Sequence, residues 1–172
     1  MRTRFDSLLS EMIQTRQKVH EMCRQFSRSP SKGNLKRLKS IFAHCGENVF
    51  IEAGFHCDYG HKISLGDRVF INLNCTILDA GQVIIGNDTL IGPNVQILAV
   101  THDVDPQLRL EKHNYANDVI IGRNVWLAAG VIISPGVSIG DNSVIGAGSV
   151  VTKDVEANSL YLGHPAVKVK TI

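Results

Sequence analysis

The 172-residue chain has no run of eighteen apolar residues and no signal-peptide pattern, so no membrane partner is expected and a soluble cytoplasmic protein is. It has little net charge: 18 Lys and Arg against 16 Asp and Glu leave +2, a weak electrostatic basis for binding nucleic acid. It also lacks any Cys-x-x-Cys pair. Cys23, Cys45, Cys57 and Cys75 stand apart and read as reduced core thiols. What charge there is falls unevenly. Residues 1–44 carry ten Lys or Arg against three acids, and the remainder eight against thirteen. A solvated helical face explains that imbalance, and so would a basic wall beside an anionic ligand.

What the chain does have is a rhythm of six. Cys45, Ile51 and Cys57, then Leu65, Ile71 and Ile77, then Ile85, Ile91 and Ile97 are spaced by six within each three; Ile121, Leu127, Ile133, Ile139, Ile145 and Val151 resume it, and ten of these fifteen are Ile. Side chains alternate along a strand with period two, so residues six apart point the same way. Three residues after eleven of these positions the chain has a corner residue: Asn48, Gly54, Arg68, Asn74, Asp88, Asn94, Asn124, Gly130, Gly136, Asn142 and Gly148. Nine of the eleven are Asn or Gly, which tolerate positive φ. The spacing lengthens to eight at Cys57–Leu65 and Ile77–Ile85, which groups the strands in threes. The pattern predicts a mainly β protein, a parallel β-helix of five triangular turns in which each repeat buries its face against its neighbours.

The predicted organisation is an N-terminal helical segment over residues 1–44, the coil over 45–154 and a tail over 155–172. In the first segment Phe5, Leu8, Leu9, Met12, Val19, Met22 and Phe26 fall on one helical face. Pro30 and Gly33 should break that helix, and a shorter one with Leu35, Leu38, Ile41 and Phe42 should lead into the coil.

The rhythm fails once. Ile97 and Ile121 are 24 apart, but the positions between them in register are Asp103, Arg109 and Tyr115, so the chain must leave the coil over residues 101–117. A long excursion from a rigid scaffold is a usual place for function. His102 sits at its root, where a neutral imidazole could take a proton from a hydroxyl.

Several runs then resemble one family in the order that family uses them. They are Asp58-Tyr59-Gly60, the run Asn72–Asp79 (NLNCTILD), Ile91-Gly92-Pro93-Asn94-Val95, Thr101-His102, Asn124-Val125-Trp126 and the run Pro135–Asp154. The chain from about residue 42 to 170 resembles the hexapeptide-repeat sugar O-acetyltransferases, the maltose and galactoside acetyltransferase group. That resemblance implies a left-handed parallel β-helix and a homotrimer with active sites between subunits. It also implies transfer of acetyl from acetyl-CoA to a hydroxyl by direct attack, with no acyl-enzyme and no metal. His102 is then the catalytic base. Asp58, Asn72, Asp79 and Trp126 are on the acceptor side. Ala129, Ala147, Thr152 and Lys153 line a groove for the CoA arm, and Lys168 and Lys170 meet its phosphates.

The chain departs from the family at Asp103 after the histidine, at Ala128-Ala129 after the tryptophan, and at the missing loop glutamate. Asp103, Asp105 or Glu111 is left to orient the imidazole. Another enzyme class on this coil, the gamma-class carbonic anhydrases, needs three histidines, two of them five apart. His102 and His113 are eleven apart, so no metal is expected. A hydroxyl-bearing antibiotic as acceptor and a non-catalytic binding coil are the other readings.

Overall fold

The computed structural model describes residues 2–172. Its coil follows the six-residue rhythm strand by strand. The first turn is β2 (His44–Cys45), β3 (Phe50–Ile51) and β4 (His56–Cys57), preceded by β1 (Thr3–Phe5), α1 (Ser10–Arg28) and α2 (Lys32–Lys39). The second is β5 (Ile63–Leu65), β6 (Phe70–Ile71) and β7 (Thr76–Leu78), and the third β8 (Val83–Ile85), β9 (Leu90–Ile91) and β10 (Gln96–Leu98). The excursion holds β11 (Val100–Thr101), α3 (Pro106–Leu110) and β12 (Asn114–Ala116). The fourth turn is β13 (Val119–Ile121), β14 (Trp126–Leu127) and β15 (Ile132–Ile133); the fifth is β16 (Ser138–Ile139), β17 (Val144–Ile145) and β18 (Val150–Val151). β19 (Ser159–Gly163) and β20 (Ala166–Thr171) end the chain.

Strands one turn apart pair in parallel and build three faces: β2-β5-β8-β13-β16, β3-β6-β9-β14-β17-β19-β20 and β4-β7-β10-β15-β18. Register is preserved throughout, so Ile51, Ile71, Ile91, Leu127 and Ile145 stack in one column. Cys57, Ile77, Ile97, Ile133 and Val151 stack in another. Nearly all of these side chains are fully buried, which is worth about 1.5–3 kcal/mol apiece for the aliphatic ones.

All eleven corner positions adopt positive φ, between 53° and 87°. The two that are neither Asn nor Gly, Arg68 and Asp88, brace each other: the Arg68 guanidinium donates to both Asp88 carboxylate oxygens at 2.6 and 2.8 Å. Corners also bond between turns. Asn124 donates to Asn142 at 3.0 Å and Asn142 to Asn158 at 2.8 Å, so the edge between first and second faces is a polar ladder.

The N-terminal segment differs from expectation in three places. Phe5 lies in β1, an extended strand paired antiparallel with β12, and α1 begins only at Ser10. Leu8 and Leu9 are therefore exposed; Asp6 instead caps a turn there by accepting from the Leu8 N–H at 2.8 Å. Gly33 sits inside α2, which is started by the Ser31 side chain accepting from the Asn34 N–H, so only Pro30 lies at the break. Val19, Cys23, Phe26 and Leu38 from the two helices join the column side chains in one continuous core and cover the first-turn end of the coil.

At the other end, the tail over residues 155–172 holds two strands and a bridge that continue the coil. Val155 bridges to Ile139, β19 adds in parallel to β17, and β20 folds back antiparallel on β19. These segments begin a sixth turn and then close it. Among the described residues no helix is long and apolar enough to cross a membrane.

Candidate active site

The sites proposed from sequence fall on two edges of the triangular coil. Asn72 follows β6, Ala129 follows β14 and Ala147 follows β17, so all three lie on the edge between second and third faces. That edge is smooth. Ala129 and Ala147 are exposed, and a Cβ placed on Gly130 or Gly148 would meet nothing within 4 Å. Asn72 and Ala147 are three turns apart, about 14 Å at 4.8 Å per strand spacing. Trp126 projects from the second face, 52% exposed, beside Leu90 and Val144 and above the stacked rings of Phe50 and Phe70.

The other edge, from third face back to first, carries Asp58, Asp79, the excursion, Thr152 and Lys153. Here β11, β12 and β1 form a small antiparallel sheet. The Arg2 guanidinium lies 3.7 Å from the Tyr115 ring centroid and 3.5 Å from Asp103, which binds the N-terminal strand to the loop. His102 emerges just after β11. It lines one cavity of about 320 Å³ with Ser7, Leu8, Arg109, Lys112 and Asn114. It lines another of about 230 Å³ with Arg2, Thr101, Val104, Asn117 and Pro135. The ring is exposed to solvent. Within the second cavity's lining, Asn117 Oδ1 is buried and has no hydrogen-bond partner among the described residues.

None of the three candidate acids orients His102. Asp105 caps α3, accepting from the N–H groups of Gln107 and Leu108 at 2.7 and 3.2 Å, with Pro106 in the first helical turn. Asp103 accepts from the Asp105 N–H at 3.0 Å, and that bond holds its carboxyl below the ordinary range. Glu111 pairs with Arg4 at 2.9 Å and lies 3.9 Å from His113.

Asp79, expected to face an acceptor, is fully buried. Its Oδ1 accepts from the backbone N–H groups of Asp58 and Tyr59 at 3.0 and 2.9 Å, while its Oδ2 has no partner among the described residues. Burial pushes its carboxyl up, against those backbone bonds. The side chain thus shapes the corner that presents Asp58 and touches no exposed surface. The Asp58 carboxylate itself accepts from His20 Nε2 at 3.0 Å across from α1.

Lys168, expected to meet CoA phosphates, pairs with Glu156 at 2.6 Å, and that bond raises its ammonium. Lys170, Lys153 and Thr152 are exposed. Two groups escaped the sequence reasoning. Asn114 lines the His102 cavity and donates to Ser7 at 2.7 Å. The sequence does contain a histidine pair five apart, His56 and His61, so spacing alone does not exclude a three-histidine metal site. They diverge in space: His56 lies 4.4 Å from the His20 ring, while His61 packs edge-on to Tyr59.

A coil of this regularity with a single excursion at its third turn defines the class of hexapeptide-repeat transferases. Residues 118–153 match the family described as bacterial transferase hexapeptide (six repeats). The chain is 42% identical over 153 residues to a galactoside O-acetyltransferase of Lactococcus lactis, covering 88% of this chain and 74% of that one. The crystal structure of a maltose O-acetyltransferase from Clostridium difficile 630 superposes with a TM-score of 0.95 at 36% identity, over 99% of this chain and 92% of that one. A galactoside acetyltransferase in complex with coenzyme A gives 0.94 at 38% identity, over 99% and 86%. The chain belongs to the hexapeptide-repeat acetyltransferases, in the group that includes the galactoside and maltose O-acetyltransferases.

Proposed function

We propose that the chain transfers acetyl from acetyl-CoA to a hydroxyl of a sugar-like acceptor, with His102 as general base, in a homotrimer whose sites lie between subunits. The observation that carries this reading is the division of the candidate residues between two edges of one coil. Asn72, Ala129 and Ala147 line one edge; His102, Asp58, Thr152 and Lys153 line the other. A second copy set beside the first brings unlike edges together. The outward column of Phe50, Phe70, Leu90 and Trp126 on the second face offers apolar surface for that packing.

His102 then takes the proton of the acceptor hydroxyl as its oxygen attacks the thioester carbonyl carbon. The tetrahedral intermediate collapses with cleavage of the C–S bond, and the imidazolium returns the proton to the leaving thiolate. Base help of this kind is worth about 10² to 10⁴ in rate. Backbone N–H groups near the thioester supply the charge stabilisation such an intermediate needs. The bare edge at Ala129, Gly130, Ala147 and Gly148 lets a pantetheine arm lie against backbone.

The test is release of free thiol from acetyl-CoA against mono- and disaccharides, nucleosides and hydroxyl-bearing antibiotics, with the oligomer measured by light scattering. Turnover with sugars in a trimer is the expected result. No release above background with any acceptor would leave only a non-catalytic coil.

A further inference from the structure

We propose that His20, His56 and Asp58 form a binding site for one divalent transition-metal ion, of the zinc or cobalt kind, which clips α1 to the first turn of the coil. One ligand atom from each of the three residues lies within 4.8 Å of the others. His20 Nε2 and Asp58 Oδ1 are 3.0 Å apart, and the two imidazole centroids 4.4 Å. Tetrahedral zinc, with bonds of about 2.0–2.2 Å, sets its ligand atoms about 3.3 Å apart. The His20–Asp58 pair lies close to that spacing, and a His56 ring nitrogen lies within 4.8 Å of both.

The scaffold positions all three. His56 and Asp58 flank Cys57, whose side chain is buried in the coil, so strand alternation puts both on the outer face. The Asp58 backbone is further fixed by the buried Asp79 carboxylate. On α1, Val19 and Cys23 are buried on either side of His20 and hold the helix against the coil. His20 and Asp58 are about a quarter exposed, 27% and 21% at the side chain, so water could complete the coordination.

Two imidazoles with one carboxylate suit zinc, cobalt or iron better than magnesium or calcium, which prefer oxygen alone. Of the cations on the helix, Arg24 is held by Glu21 through two bonds of 3.0 and 2.7 Å, and Arg16 by the Tyr59 hydroxyl at 3.1 Å. His61 is not part of the site, since its ring packs on Tyr59. The site shares Asp58 with the acceptor side of the acetyl-transfer reading, which itself requires no ion.

The experiment uses tag-free, full-length protein stripped with a chelator and titrated with Co²⁺. Visible d–d bands of a low-coordinate ion should appear, saturate at one ion per chain and vanish when Zn²⁺ is added. Zn²⁺ at about a hundredfold over its Kd should raise the melting temperature by about 5–10 °C. H20Q and H56Q should each weaken Co²⁺ binding by at least about tenfold to a hundredfold, whereas H61Q should not. An aqua-ion spectrum throughout, or equal binding by the H20Q/H56Q double variant, would overturn the proposal. If those variants do not fold, Cu²⁺ EPR of the wild type decides: two coordinated imidazole nitrogens support the site, and fewer overturn it.

Discussion

Replacing His102 by alanine separates chemistry from architecture, because the structure gives that ring no structural partner. It is exposed, lies outside the hydrophobic core and is bonded by none of the three nearby acids. Its removal should therefore change folding stability by no more than about 0.5 kcal/mol, or about 2 °C in melting temperature for a chain of this size. Loss of a general base should lower kcat/KM about 10² to 10⁴-fold, equivalent to about 2.7–5.4 kcal/mol of barrier. Acetyl-CoA binding should change little, since the ring would face only the acetyl end of the coenzyme and the small-residue edge would still hold its pantetheine arm. Thiol release with acceptor well below KM, run beside calorimetric melting and acetyl-CoA titration, reads all three quantities on one preparation. A variant rate within about threefold of wild type would refute the base assignment. A large rate loss accompanied by a fall in melting temperature would refute the claim that the ring is free of structural duty.

Two other perturbations probe the scaffold. Ile133 is fully buried between Ile97 and Val151, so Ile133→Ala should cost about 2–5 kcal/mol by chemical denaturation. Ile133→Asp should leave no cooperative transition, because an unpaired charge would face the column. Asp79 tests linkage. Burial raises its folded-state value above that of the unfolded chain, so the native state holds its proton more tightly, and its contribution is fully present below the unfolded range. That contribution is lost as pH rises through the raised folded value. The melting temperature of Asp79→Asn minus wild type should therefore climb with pH from the ordinary carboxylate range upward and then level off. A flat difference would show that Asp79 is not titrating in that window.

Much of the scaffold was legible because the coil repeats one local problem. Each hexad must supply an inward aliphatic group and a residue that accepts positive φ, and both requirements are visible in single letters. Even Arg68 and Asp88, which break the letter pattern, keep the geometry because each supplies the other's charge. The N-terminal segment was less legible because nothing local distinguishes Phe5 from a helix-face residue; its strand exists only by pairing with β12, over a hundred residues later. Residues 155–172 escaped for the same reason, since β20 is defined by its antiparallel partner and not by the rhythm. At the site, the position of His102 could be read from the interruption of the repeat. The burial of Asp79 could not: a carboxylate beside a glycine-containing corner reads as exposed until its two backbone N–H donors are seen. The His20–His56 contact joins a helix to a strand, and spacing along the chain carries no sign of it.

A stack of parallel rungs has no intrinsic length; the last rung of one molecule is a template for the first rung of another, and the natural product of such a sequence is a fibre. Two devices forbid it here. Helices cover the starting rung, and on the second face the final rung runs in the reverse direction, so it presents an edge that a parallel newcomer cannot match. Removing β20 while leaving the rest intact would bare one parallel edge, and the helices over the starting rung would then be the single barrier left against end-to-end growth.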